Sequence, residues 1–152
     1  MRLLWASKAV NAKGGHTKGP RVGDVMVVGN TEFIEVSLEL DRKGLIWQPE
    51  IGDEISLRDR LDQVSVLIDP MGMSPGQLRQ TYVWLPHLEQ LVQQFEARQS
   101  LLFHAGITRE FVYEVVVKTP FGVVEAAART LRLACAEALQ EILIGCTDQA
   151  IH

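Results

Sequence analysis

The sequence predicts an α+β protein built on a mostly antiparallel sheet, and three observations carry that reading. Apolar residues alternate with polar ones through much of residues 25–69 and again over 111–128. They recur at spacings of three and four over 75–98 and 130–144. The strand-like and helix-like stretches are grouped rather than interleaved, which favours antiparallel sheets over parallel βαβ units. The 152 residues are 47% hydrophobic and 22% charged, enough for one domain over 1–152 with its own core.

Residues 1–23 form a basic arm. Arg2, Lys8, Lys13, Lys18 and Arg21 stand there without an acid, giving +5; the whole chain is −4, so the remainder carries −9. "NAKGGHTKGPRVG" (11–23) reads as a loop or partly flexible tether. "LLWASKAV" (3–10) is a short strand or a helical turn that docks on the core. Such an arm can bind phosphates or fold back on its own acidic body.

The β-rich half covers 24–70. In "VMVVGNTEFIEVSLEL", Gly29-Asn30 is placed for a two-residue hairpin, and Ile34, Val36, Leu38 and Leu40 alternate with Glu35, Ser37 and Glu39. "DRKG" turns the chain, "LIW" starts a short strand that Pro49 ends, and "EISLR" and "QVSVLID" supply two more. Together they predict an antiparallel meander or small barrel over about 25–69.

The α-β-β-α half covers 71–152. Ser74, Pro75 and Gln77 have the order of a capping box, so a helix should span about 75–83. Pro86 breaks it and opens a second helix, about 86–98, whose stripe is Leu85, Leu88, Leu91, Val92 and Phe95. A hairpin follows over 111–128 around "KTPFG". Thr130 then caps a helix over 130–144, and Gly145 is placed to end it. Alanines at 126–128, 134, 136 and 138 permit close approach of helix and sheet.

The composition excludes some functions. No apolar run approaches the roughly 18 residues needed to span a bilayer, and Lys8 interrupts the apolar start, so neither a membrane span nor a secretory leader is expected. Cys135 and Cys146 have no His or second Cys at metal spacing; reduced thiols suit a cytoplasmic protein. His16, His87, His104 and His152 include no i, i+4 pair. The acids at 50, 53, 54, 59, 62 and 69 mix with Arg58 and Arg60 as on a solvated face, without the loop spacing of a divalent-ion site. "GGHTKG" lacks the phosphate-loop pattern, and no serine has a nucleophile motif. No cofactor or metal is expected. Residues 18–24 and 47–53 share Pro-x-(Val/Ile)-Gly-Asp; the flanks differ, so the echo marks a turn before a strand rather than a repeat or ligand site.

"FVYEVVVKTPFGVVEAAARTLRLACAEALQEIL" (111–143) resembles the end of a double-stranded-RNA-binding domain: strand, turn, strand, Ala-rich helix. The resemblance implies phosphate contacts at the helix start. There the family has a lysine pair, and this chain has Arg129 and Thr130-Leu131-Arg132 with Glu125, Glu137 and Glu141 nearby. The same order resembles small α/β sandwich modules of phages and bacteria. The chain, in "LIWQPEIGDE" and "YVWLPHLEQLVQQFEARQ", also resembles small conserved cyanobacterial proteins, a likeness that implies no activity.

The sequence therefore favours a non-catalytic binding or assembly module with a protein partner, including a second copy as a homodimer; Trp47, Trp84, Phe103 and Phe121 are the candidate anchors. The alternative is an anion or nucleic-acid binder using Lys13, His16, Lys18 and Arg21, which the acidic body disfavours. A third reading is a small-molecule enzyme with His104, Tyr82 and Asp69 in a pocket between sheet and helices.

Overall fold

The computed structural model describes residues 22–149. These form α1 (Val22–Arg42), β1 (Glu54–Leu57), β2 (Arg60–Val66), α2 (Pro75–Thr81), β3 (Tyr82–Trp84), α3 (Leu88–Glu96), β4 (Leu101–Ile107), β5 (Tyr113–Thr119), β6 (Gly122–Ala128) and α4 (Leu131–Gln149). The class is α+β, with two three-stranded antiparallel sheets ordered β2-β1-β3 and β4-β5-β6.

The main correction to the sequence reading is α1. Residues 22–42 are a helix and not a hairpin, so the meander or barrel over 25–69 shrinks to β1 and β2. Residues 33–40 satisfy both periods. What is buried is Phe33, Ile34, Ser37 and Leu40, the helical spacing, with Val36 and Leu38 half-buried at its flanks. This stripe packs α1 against α4. "DRKG" ends the helix rather than turning a hairpin. Gly44 has φ +92°, Leu45 N–H donates to Leu40 O (3.0 Å) and Gly44 N–H to Asp41 O (3.1 Å), the paired bonds of a Schellman cap. Leu40 and Leu45 share the same core.

Smaller corrections follow. "LIW" forms no strand; Trp47 is drawn inward instead. "LLFHAGI", a stretch between the expected second helix and the hairpin to which no element was assigned, is β4, the strand that pairs with β5. Gly145 lies inside α4, which runs on to Gln149. The second helix starts at Leu88 with His87 as its N-cap, not at Pro86, and Tyr82–Trp84, expected to close the first helix, instead pair with β1 as β3. The other two expected helix starts follow the sequence. Ser74 Oγ accepts from Gln77 N–H (3.2 Å) while Gln77 Oε1 accepts from Ser74 N–H (2.8 Å), and Thr130 Oγ1 accepts from Leu133 N–H (3.1 Å).

The larger core joins Phe33, Ile34 and Leu40 of α1 to Leu85, Leu91, Phe95, Val115, Val117 and the alanine-rich face of α4. A smaller cluster of Trp47, Ile55, Leu67 and Leu78 lies under the β1–β3 sheet, and Trp84 packs against both. The fold thus covers one face of β4-β5-β6 with α4.

Candidate functional site

Alternation fixes which side chains the covered sheet presents outward. Val115 and Val117 are buried, so Glu114, Val116 and Lys118 point away from α4. Residues paired across strands share a face. The registers Leu101↔Lys118 and Lys118↔Val123 therefore put Leu101, Lys118 and Val123 in one outward row across all three strands. The β4–β5 register slips between Leu102 and His104, which leaves Phe103 as the extra residue of a bulge. Its ring also comes outward, with Lys118 Nζ 3.5 Å from the ring centroid. Leu101, Phe103 and Val123 are each 59% exposed, and Phe121, at the β5–β6 turn beside this row, is 66% exposed. Three large apolar groups, Leu101, Phe103 and Val123, thus share a face with one lysine, and on the same face Val116 pairs with both His104 and Glu125.

A second concentration of polar side chains lies between the small sheet and the helices. Asp53 is only 3% exposed and its carboxylate is fully engaged. Oδ2 accepts from Trp47 Nε1 (2.7 Å) and Glu50 N–H (2.8 Å), and Oδ1 accepts from Gln90 Nε2 (2.7 Å). Gly52, at φ +99°, makes the turn that aims Asp53 inward. Next to it, Glu54 lies 3.8 Å from His87 Nδ1 and 3.5 Å from Arg132 Nη1. Arg132 also donates to Leu85 O (2.7 Å) and Pro86 O (2.8 Å) and stacks on Phe33, 4.1 Å from the ring centroid. This network ties β1, α1, α3 and α4 together. Its acceptors are backbone carbonyls and carboxylates already in use, as expected of buried polar groups that hold elements in register.

The sequence candidates scatter. Trp47 is 3% exposed and bonded to Asp53, Trp84 is half-buried between the two cores, and only Phe103 and Phe121 stand at the surface. His104 is exposed on β4, whereas Tyr82 is half-buried on β3 of the other sheet and Asp69 is exposed after β2. Lys13, His16, Lys18 and Arg21 lie outside the described residues. Arg132, the stand-in for a phosphate-gripping lysine, is turned inward to Leu85, Pro86 and Glu54. Burial alone pushes the Cys135 thiol up to about 11. Among the described residues no group of three His, Cys, Asp or Glu is placed to hold a metal ion, and no helix is long and apolar enough to cross a membrane. Sequence reasoning missed Leu101 because no strand was expected over 101–107, and it passed over Val123 although the hairpin over 111–128 was expected.

No family model, curated protein or solved structure matches this chain.

Proposed function

We propose that the protein is a non-catalytic assembly module that docks a protein partner on the outward face of β4-β5-β6, and that a second copy of the chain is the partner this face fits. The observation that carries the reading is the row Leu101–Lys118–Val123 with Phe103 and Phe121 beside it, an exposed apolar cluster on a face that α4 leaves free. The charge pattern supports self-pairing. Lys118 shares its face with Glu114 and Glu125, so two such faces related by a twofold axis can set each lysine against the other copy's carboxylates. Aromatic groups at strand ends and turns supply anchors of low entropic cost.

The test is a concentration series of amide and methyl NMR spectra. Shifts that move together on dilution and map to Leu101, Phe103, Val116, Lys118 and Val123 support the reading. Spectra invariant with concentration, or shifts confined to other surfaces, contradict it.

A further inference from the structure

On the side of β6 away from β5 the structure opens a groove of about 470 Å³. Val124 and Ala126 of β6 form one wall, Val36 of α1 the other, and Glu137 and Glu141 of α4 line it with Glu125 at its rim. Helix α4 packs against both β6 and α1, so the groove lies beside a sheet edge and over a helix. β6 ends the order β4-β5-β6, and among the described residues no strand pairs with its other edge. An unpaired edge presents a row of backbone donors and acceptors, a template for one more strand.

The lining mixes Val36, Val123, Val124 and Ala126 with Gln140 and three glutamates, and its charges are all of one sign. Glu125, Glu137 and Glu141 line the groove without a lysine or arginine among the lining residues. Glu32 stands one turn before Val36 on α1, close enough to act on Glu137. Burial, and then that neighbour, raise the Glu137 carboxyl above the usual carboxylate range. A seated cation would relieve both effects.

We propose that this groove binds an extended basic segment as a fourth strand on β6, and that the occupant is residues 2–10 of the same chain. Two arguments select it. The first is charge: residues 1–23 carry five cations and no acid, while the remainder is −9. Arg2 and Lys8 flank the apolar Leu3, Leu4 and Trp5, which suits a groove that sets valines and an alanine beside carboxylates. The second is reach. Val36 lies about 20 Å along α1 from Val22 at a rise of about 1.5 Å per residue. Residues 11–21 can span about 35 Å when extended, so the glycine-rich tether suffices to bring 2–10 back alongside the helix. The cost of closing so short a loop is small. The groove then satisfies the open edge of β6 and neutralises the acids around it. This inference concerns the edge of β6 rather than the sheet's outward face, although Val123 and Glu125 belong to both.

The experiment uses the full chain with a nitroxide at Ser7→Cys in a Cys146→Ser background; Cys146 is exposed and Cys135 is buried. The expected result is loss of the amide signals of residues 123–126 at low salt in chains diluted with unlabelled protein. The signals should recover in about 1 M salt, where screening acts within about 3 Å, and in Glu125→Lys/Glu141→Lys. Unbroadened signals at low salt in a folded chain overturn the proposal. So does broadening that persists in the charge-reversed variant. Broadening seen only when a ¹⁵N chain is mixed with a separately labelled chain overturns the same-chain occupant and assigns the groove to a second copy.

Discussion

At the residue scale, Asp53 shows how a turn signal became a structural centre. Pro-x-Ile-Gly-Asp was legible as a turn, and Gly52 does turn the chain there. That the aspartate would be buried and hold Trp47, Glu50 and Gln90 together was not legible, because Gln90 is 37 residues away. Asp53→Ala strands three buried or half-buried donors, and hydrogen bonds to charged groups contribute about 1.5–3 kcal/mol each. Allowing for relaxation, the loss should be about 3 kcal/mol in urea unfolding, with a changed Trp47 emission; a loss below about 1 kcal/mol would refute this role. Cys135 gives a second expectation. A thiol pushed up to about 11 stays protonated at neutral pH. A native chain should therefore consume one equivalent of thiol reagent quickly, at Cys146, and two only when unfolded. The unfolded thiol ionises near 9.0 and the folded one near 11, so the folded state holds more protons between these values. Stability should fall as pH rises through that window, by at most about 1.4 kcal/mol per pH unit from this group. Cys135→Ala should remove that slope.

At the element scale, the helices with local punctuation were legible and the one without it was not. Ser74-Pro75-x-Gln77 and Thr130 announce starts that depend only on neighbouring residues. α1 lacks such a signal at its start, and its apolar residues satisfy both a strand and a helix, so tertiary packing against α4 decides. Its stop was present all along in Lys43-Gly44. The two periods make opposite predictions at Phe33. Alternation places it on the wet face with Glu35, whereas the helix buries it with Leu40. Phe33→Ala should therefore cost about 3–5 kcal/mol, and a cost below about 1 kcal/mol would restore the hairpin. Gly44→Ala, forced to a positive φ, should cost about 1–2 kcal/mol. β4 was missed for the opposite reason: a strand that buries little on either face carries weak alternation, and its existence depends on pairing with β5.

At the scale of the whole molecule, the sequence puts five cations and no acid in residues 1–23 and −9 in the rest, and it raised the expectation of an aromatic contact surface. It could not say which aromatic groups would be exposed. Trp47 and Trp84 went to cores because the small sheet needs large side chains beneath it, while Phe103 and Phe121 were left outside by a bulge and a turn. Among the described residues no helix packs on the outward face of β4-β5-β6, and the proposed function rests on the use of that face. Sedimentation equilibrium of the full chain and of Leu101→Lys/Phe103→Ser tests this most directly. Both residues are exposed, so the variant should keep its fold and thermal stability within about 0.5 kcal/mol. The account predicts a reversible dimer for the native chain at micromolar concentrations and a monomer for the variant. A native chain that is monomeric throughout, or a variant that dimerises as tightly as the native chain, would contradict it.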